Sequence, residues 1–408
     1  MMRRPLMPGL RGAVCVIGNF SGRNAGDAAI LGGLLEDVQR RFPGVHFSVP
    51  TINPDFVRRQ YAEFPVRPVG LLPWNLSVKI LGLPVWRALR AARLVLVTDA
   101  ILFDRKLLNP LYNYLWTMSL ALPAARRRGV PVALYNVSLG PVRTPLGRRC
   151  LRRVLDASDV VIVRDDESAE LCAQLRPVGA PPVRGADCAL NARPADPRRV
   201  DALIAEKRLG FGARPAITFN VNSYLDVFLR GQASADAFAP LMAEVMDRAI
   251  AELDVNAVVV TTQPMDGAIT RRVLSAARRR DRISSIANGE CDYRDIAGIL
   301  GRAELHVGMR THSLILAAAM GTPVVGLLCT PKNRGFLMSI RQQERMVDFE
   351  GLTADRLFGV VRDAWRERAR LRAELGPIVA EQKALARAAV ELLRPYLEPA
   401  EPAPPVRR

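Results

Sequence analysis

The sequence predicts an α/β protein whose two domains face each other across a cleft. Short apolar runs alternate with helical patterns along the chain, which is typical of parallel sheets with right-handed helical crossovers. The alternation stops once, in a polar and proline-rich stretch at residues 191–215, and then resumes. A chain of 408 residues fits two such domains of about 190 residues each.

Four apolar runs in the first half are predicted to be buried strands because each is too short to form a helix. They span residues 13–17, 94–97, 131–135 and 160–163. Turn-forming residues follow each run. After the first run, Ile30, Leu34 and Val38 recur at helical spacing, so the segment is predicted to be a strand, a loop and a helix.

The second half repeats this pattern. Its predicted strands span residues 216–220, 257–261, 304–308 and 323–328. A long helix follows, which we expect to pack back on the first domain. We therefore divide the chain into a first domain (1–190), a linker region (191–215), a second domain (216–370), a C-terminal helix (371–396) and a disordered, proline-dense tail (397–408).

The charge balance favours an anionic partner. The chain holds 58 Lys and Arg against 40 Asp and Glu, a formal net charge of +18. Only five of these cations are lysine, so part of the excess reflects a general use of arginine rather than function. Aromatic residues make up 6% of the chain and no run interleaves them with basic residues, which argues against nucleic acid.

The cysteine pattern predicts no structural metal site. The six cysteines are scattered, with neither a C-x-x-C pair nor a histidine at zinc-ligand spacing. Most lie in apolar runs, where a reduced thiol acts as a small hydrophobic side chain. The first ten residues also lack the continuous apolar core of a secretory signal. We therefore expect a cytoplasmic protein.

Two apolar stretches, residues 71–86 and 107–125, are flanked by basic residues. Both are interrupted by proline or asparagine and fall at the short end of the ~20 apolar residues that span a bilayer. We interpret them as helices packed in the core. The alternative is an interfacial surface that binds a membrane.

Candidate chemistry lies where a predicted strand ends at Gly308 and a helix begins near Thr311. Arg310 and His312 then stand at the carboxyl edge of a sheet and the amino end of a helix, where α/β proteins bind anions. Arginine offers a bidentate fork, and histidine exchanges protons near neutral pH. The alternative is that Arg310 forms a structural ion pair and His312 caps the helix.

Lys332 follows the next predicted strand, so its loop should lie beside that of Arg310. In a chain that uses arginine for almost every cation, a lysine here suggests a need for a compact point charge. A chance position on the surface is the alternative.

The first loop holds Gly18, Gly22 and Gly26 at a spacing of four, which matches neither of the common phosphate-binding glycine motifs. Asp27 follows these glycines. Its carboxylate is either the N-cap of the helix or a group that orients or deprotonates a hydroxyl in the cleft.

Together these segments resemble the polysaccharide pyruvyl transferase family. The resembling residues occur in order along most of the chain: Gly18-Asn19, 24–31, 138–141, 163–168, Asp187, Gln263, Asp266, 310–313, 321–323 and Lys332. The resemblance implies two Rossmann-like domains, similar to those of two-domain GT-B glycosyltransferases.

The resemblance also implies transfer of the enolpyruvyl unit of phosphoenolpyruvate to sugar hydroxyls, usually as a cyclic ketal, with no cofactor and no metal. His312 is then the candidate acid or phosphate partner, and Asp27 the candidate base. The expected substrate-binding residues are Arg310, Lys332, Arg164, Asn24, Gly26, Ser313 and Gln263. The saccharide belongs to a cell-surface polysaccharide or its lipid-linked precursor, and a lipid-linked acceptor would bring the protein to an anionic membrane at the inner face of the cytoplasmic membrane.

One segment departs from the family. Where members often carry a glycine-rich turn after the second predicted strand, this chain has Thr98-Asp99-Ala100-Ile101. Two alternative functions follow. One is a sugar-nucleotide glycosyltransferase or epimerase of the same fold, and the other is a binding protein that has lost catalysis.

Overall fold

The structure is a computed structural model, and it describes residues 12–70, 83–109, 113–175, 177–223 and 235–398. The elements of the first domain are β1 (Val14–Ile17), α1 (Ala25–Arg41), β2 (Phe47–Thr51), α2 (Pro54–Gln60), β3 (Val66–Gly70), α3 (Leu83–Ala91), β4 (Leu94–Val97), α4 (Leu115–Arg126), β5 (Val132–Val137), α5 (Pro145–Asp156), β6 (Val160–Val163), α6 (Asp166–Leu175) and β7 (Val183–Arg184). The strands form one parallel sheet in the order β3-β2-β1-β4-β5-β6-β7.

The second domain repeats the arrangement after α7 (Pro197–Glu206). Its elements are β8 (Ala216–Asn220), α8 (Ala235–Leu253), β9 (Asn256–Thr261), α9 (Gly267–Ala276), β10 (Ile283–Ala287), α10 (Tyr293–Leu300), β11 (Leu305–Gly308), α11 (Thr311–Ala319), β12 (Val324–Leu327), α12 (Pro331–Ser339), β13 (Met346–Val347) and α13 (Ala354–Arg366). The parallel sheet has the order β10-β9-β8-β11-β12-β13. The predicted fold class is confirmed, and α7 lies inside the stretch expected to be a linker.

Each of the eight predicted strands is present, with ends shifted by at most two residues. The prediction missed five shorter or more irregular strands. β2 contains Pro50, and the edge strand β3 contains Pro68. Proline cannot donate a hydrogen bond to a sheet, so its presence argues against a strand when only the sequence is known. The edge strands β7 and β13 hold two residues each, too few for a periodic signal.

The C-terminal segment crosses both domains. It consists of α14 (Arg368–Ala388), a 3-10 turn at Ala389–Leu393 and α15 (Arg394–Leu397). Leu371 packs in the core of the second domain, whereas Ala386 and Leu393 pack in the core that includes β1 and α1. The Lys383 ammonium also donates to the carbonyl of Ala319 at the end of α11 (2.7 Å). The predicted packing of this helix on the first domain is therefore confirmed.

Residues 115–125 of the apolar stretch at 107–125 lie in α4, whose inner residues Leu115, Met118 and Leu122 are buried in the first domain, and residues 110–112 lie outside the described residues. The prediction that this stretch packs in the core is therefore confirmed for the buried side of α4. Residues 71–82 of the other stretch lie outside the described residues, as do residues 399–408 of the predicted tail. None of the described helices is long and apolar enough to cross a bilayer.

Two adjacent glycines let α1 pack closely on both sides. A Cβ on Gly33 would overlap the carbonyl oxygen of Cys188, and a Cβ on Gly32 would overlap the hydroxyl of Tyr293. Cys188 opens the short 3-10 helix Cys188–Asn191, which follows Asp187. The position of α1 and the position of Asp187 are thus set by the same close contact.

We expect Gly33→Ala to destabilise the protein by about 1–3 kcal/mol, because the added methyl group meets backbone that cannot move aside. Helix propensity alone predicts the opposite sign, a gain of about 0.5–1 kcal/mol. Denaturant unfolding measures the difference. The matched control is Gly359→Ala in α13, where a Cβ would meet open space and should be neutral or stabilising. Equal stability of the two variants would contradict the close contact.

Candidate active site

The two domains meet at the carboxyl edges of their sheets, around the amino end of α1. The Ala25 N–H donates to the carbonyl of Thr262 after β9 (3.0 Å). The Asn288 amide after β10 donates to the carbonyl of Gly22 in the first loop (3.0 Å). The loops that follow β1, β9 and β10 therefore form one border of the cleft.

Asn24, Gly26 and Asp27 shape the start of α1. The Asn24 side chain is the N-cap, because its oxygen accepts from the Gly26 N–H (3.0 Å). The Asp27 carboxylate instead accepts from the amides of Asn24 (2.7 Å) and Asn19 (2.8 Å). The N-cap interpretation of Asp27 is therefore wrong, because Asn24 is the N-cap. The side-chain amides of Asn19 and Asn24 instead hold the Asp27 carboxylate in place.

The pKa of Asp27 is raised well above its usual range. Burial is the main cause and the neighbouring Asp99 carboxylate adds to it, while Asn19, Asn24 and Arg310 act in the opposite direction. Asp27 is 5% exposed and Asp99 4%. Burial and a nearby negative charge both disfavour the ionised form, so Asp27 holds its proton to a higher pH than an exposed carboxyl does.

Asp99 occupies the turn that departs from the family pattern. Its φ of +71° lies in the left-handed region, where glycine is the usual residue and aspartate one of the few others tolerated. Its carboxylate accepts from the Ala100 N–H (2.6 Å), which stabilises the turn locally. The chain thus keeps a glycine-like turn while adding a buried carboxylate on the first-domain side of the cleft.

Arg164, Asp187 and His312 lie in a row across the domain boundary. Arg164 follows β6 and makes an ion pair with Asp187. His312 Nε2, on the second domain, lies 3.6 Å from Asp187 Oδ2. Burial alone would raise the pKa of Asp187, but Arg164 and His312 outweigh it and hold that pKa far below its usual range. Asp187 is therefore a permanent anion beside the imidazole.

Gly26 permits His312 to approach α1. A Cβ on Gly26 would overlap the imidazole ring, so the ring packs directly against the backbone of the first helical turn. Gly26, which was predicted to bind substrate, therefore contributes by leaving space for the His312 ring.

The guanidinium fork of Arg310 is occupied by a carboxylate. Its Nε and one terminal nitrogen donate to the two oxygens of Asp266 (2.9 and 2.6 Å), and Asp266 is fully buried. The Arg310 backbone N–H donates to Asn220 at the end of β8 (3.0 Å). The structure thus shows the ion pair that was the alternative to ligand binding, and Arg310 also acts at a distance, since its charge lowers the pKa of Asp27.

Lys332 lies in a narrow pocket between the domains, which we call the inter-domain pocket. Its lining includes Arg164, Asp165, Asp187, Thr311, Lys332 and Phe336. Asn333 ties its two second-domain loops together, because its amide donates to the Met309 carbonyl (2.7 Å) and its oxygen accepts from the Thr311 hydroxyl (2.7 Å). Lys332 is therefore brought to the same pocket as the start of α11, as the adjacent strands predicted.

The Lys332 ammonium differs from the other cations of the cleft. Within the part of the chain that the structure describes, it makes no hydrogen bond and no ion pair. Burial, aided by the charge of Arg164, lowers its pKa to about 8. It lies in the first turn of α12, where free backbone N–H groups also favour an anion.

Two residues expected to bind substrate, Ser313 and Gln263, have different surroundings from the others. The Ser313 hydroxyl is fully buried between the Arg310 carbonyl (2.8 Å) and His306 Nε2 (3.0 Å), so it supports the loop and does not line the cleft. Burial lowers the pKa of His306 to about 3. Gln263 lies beside the cleft border, and its buried side-chain oxygen has no hydrogen-bond partner among the described residues.

Several solved structures share the fold of the chain at low sequence identity. UDP-GlcNAc 2-epimerase from Neisseria meningitidis bound to UDP-GlcNAc has a TM-score of 0.61 at 10% identity over 95% of this chain and 99% of that chain. Anabaena Alr3699/HepE in complex with UDP-glucose has a TM-score of 0.59 at 12% identity, covering 94% and 99%. E. coli ADP-heptose heptosyltransferase II has a TM-score of 0.51 at 12% identity, covering 88% and 99%. These likenesses show a fold of the GT-B type.

No curated protein sequence matches the chain. A sequence model of the polysaccharide pyruvyl transferase family matches residues 24–330, about three quarters of the chain, and its range contains Asn24, Asp27, Arg164, Asp187, Arg310 and His312. The chain therefore belongs to the polysaccharide pyruvyl transferase family.

Proposed function

We propose that the protein transfers the pyruvyl group of phosphoenolpyruvate to hydroxyls of a saccharide that belongs to a cell-surface polysaccharide or its lipid-linked precursor. The observation that carries the donor assignment is the state of Lys332. Its ammonium lies in the inter-domain pocket with no carboxylate partner in the described residues. The Lys332 side chain is half-buried, and an ammonium that forms no ion pair can receive the negative charge of a ligand.

The other cations of the cleft support an anionic donor in a different way. Arg164 and Arg310 are held by Asp187 and Asp266, so they are fixed in position before any ligand binds. Phosphoenolpyruvate carries a phosphate and a carboxylate. In the proposal, Lys332 and the amino end of α12 take one of them, and Arg164 stands next to the same pocket.

The proposed chemistry begins with protonation of the enol methylene, which becomes the methyl group of the product. The adjacent carbon gains oxocarbenium character, and a sugar hydroxyl attacks it. Cleavage of the bond from this carbon to the phosphate oxygen releases inorganic phosphate, and a second hydroxyl closes the cyclic ketal. The two sugar hydroxyls release two protons. One restores the acid that protonated the methylene, and the other leaves on the released phosphate, so the reaction balances without a further cofactor.

His312 and Asp27 are the proposed proton-transfer groups. His312 lies beside the ionised Asp187 and against α1, at the boundary that a donor and an acceptor would share. We assign it the proton donated to the methylene. Asp27 accepts the hydroxyl proton in its ionised form; the raised pKa makes that carboxylate a stronger base than an exposed one, although a smaller fraction of it is ionised. Asp99 then stands on the acceptor side.

Phosphate release distinguishes the proposal from its alternatives. The expected result is release of inorganic phosphate that requires both phosphoenolpyruvate and a saccharide from a panel of acceptors. Cleavage of a nucleotide sugar without use of phosphoenolpyruvate would instead support a glycosyltransferase or epimerase. Calorimetric binding of phosphoenolpyruvate with no turnover for any acceptor would support a binding protein.

We expect His312→Ala to lower kcat for phosphoenolpyruvate turnover by about 10²–10⁴-fold, because it removes a general acid. Arg310→Ala should also lower turnover, since it leaves Asp266 buried and unpaired. The matched control is His46→Ala, which removes an exposed histidine at the start of β2 and should keep full activity. Unchanged turnover in both the His312 and Arg310 variants would refute the assignment.

Donor affinity should depend on pH through Lys332. The ammonium is charged below its pKa of about 8 and neutral above it, so the Kd for phosphoenolpyruvate should be flat near pH 7 and rise by up to about tenfold per pH unit above 8. Calorimetry between pH 7 and 10 measures this, in a range where the donor phosphate has already lost its second proton.

Two variants isolate this effect. Lys332→Arg keeps its charge throughout the range and should lose the alkaline rise, although its wider head group will bind less well. Lys207→Met, a surface lysine beside Glu206, should behave as the parent protein does. An alkaline rise that persists in Lys332→Arg would assign it to another group.

A further inference from the structure

The outer face of α4 and α5 exposes large apolar side chains beside arginines. Leu120 of α4 is 41% exposed, Leu146 in the first turn of α5 is 39% exposed, and Leu108 in the loop before α4 is 60% exposed. The two helices pack side by side on the same face of the first sheet. We call this surface, formed by Leu108, Leu120, Leu146, Arg149, Arg152 and Arg153, the α4–α5 face.

The loop that carries Leu108 is fastened to the start of α5. The Asp104 carboxylate accepts from the backbone N–H groups of Arg143 (2.7 Å) and Thr144 (2.6 Å). A Cβ on Gly147 would be 2.6 Å from the Asp104 Cβ, so the loop lies directly on the first turn of α5. The loop that leads to Leu108 therefore lies against the first turn of α5, which carries Leu146.

The charge of this surface is mostly positive, although Arg152 lies 3.9 Å from the carboxylate of Asp156 at the end of α5. From Arg126 to Leu155 the chain holds eight arginines and no acidic residue. On α5, Cys150, Leu151 and Val154 point into the core, whereas Arg149, Arg152 and Arg153 are exposed. Neither Arg149 nor Arg153 forms an ion pair within the described residues. Such a helix has a buried apolar side and an outer basic side.

We propose that the α4–α5 face binds the surface of an anionic lipid bilayer. Arginines attract anionic headgroups, and exposed leucines insert at the boundary between the headgroups and the acyl chains. Nucleic acid would satisfy the arginines but offers no apolar phase for three leucines, so the observations favour the membrane. This inference does not depend on the donor chemistry proposed above.

The position of the α4–α5 face in the fold relates membrane binding to the cleft. α4 and α5 follow β4 and β5 in a parallel sheet, so both begin at the carboxyl edge that borders the cleft. Leu108 and Leu146 lie at that end of the face. A protein seated on the bilayer through this face holds its cleft close to the headgroups, where a saccharide attached to a lipid is presented.

Vesicle flotation tests the proposal with the full chain. The protein should float with vesicles of phosphatidylcholine that contain phosphatidylglycerol, and binding should weaken as salt is raised. The double variant Arg149→Ala/Arg153→Ala should lower the partition coefficient by about tenfold or more. Leu120→Ser/Leu146→Ser, which changes no charge, should also lower it by about tenfold.

The matched control is Arg278→Ala/Arg279→Ala, which removes two exposed arginines from the second domain and should bind as the parent does. All the substituted side chains are exposed, and unchanged thermal unfolding will verify that each variant folds. The proposal fails if the parent protein ignores anionic vesicles at low salt, or if the control pair weakens binding as much as the Arg149 and Arg153 pair. It also fails if the leucine pair binds normally while duplex DNA competes with the vesicles, which would assign the face to nucleic acid.

Discussion

Buried ion pairs at the carboxyl edges of the two sheets fix the geometry on which the rest of the site depends. Arg164 with Asp187 and Arg310 with Asp266 each take two charges out of water, an arrangement that is tolerated only when geometry and further hydrogen bonds offset the loss of hydration. Asp187 has a second task, because its carboxylate also faces His312 from the other domain. One anion thus neutralises an arginine and places negative charge beside the imidazole.

This pairing leaves an uneven distribution of charge. The two arginines are neutralised by carboxylates, the two carboxyl groups of Asp27 and Asp99 repel one another, and Lys332 has no partner in the described residues. Lys332, at the start of α12, is thus a cation of the cleft that forms no ion pair in the described residues, although the carboxylates of Asp27, Asp99 and Asp165 favour its charged form, and Asp27 lies at the start of α1. An anionic donor and a hydroxyl-bearing acceptor fit these two ends of the cleft.

The sequence predicted the parts of the site that depend on local order. A strand that ends at Gly308, followed by a helix that starts at Thr311 and stops before Gly321, placed Arg310 and His312 correctly, and the neighbouring strand placed Lys332. The sequence did not predict which residues these side chains contact. Asp187 and Asp266 belong to the family resemblance but received no role, because their contacts with His312 and Arg310 join segments distant in the chain. Ser313 was expected in the cleft and is instead buried, since periodicity does not tell which way a hydroxyl in a first turn points.

The central claim is that phosphoenolpyruvate binds through Lys332 at the inter-domain pocket, which must widen from its present volume of about 20 Å³ to admit the donor. A crystal structure of the protein with this donor tests it most directly. The account predicts donor density between the domains, with a phosphate or carboxylate oxygen within hydrogen-bond distance of Lys332 Nζ and with Arg164 and His312 around the same molecule. Donor density at another surface, with Lys332 still without a ligand, would contradict it.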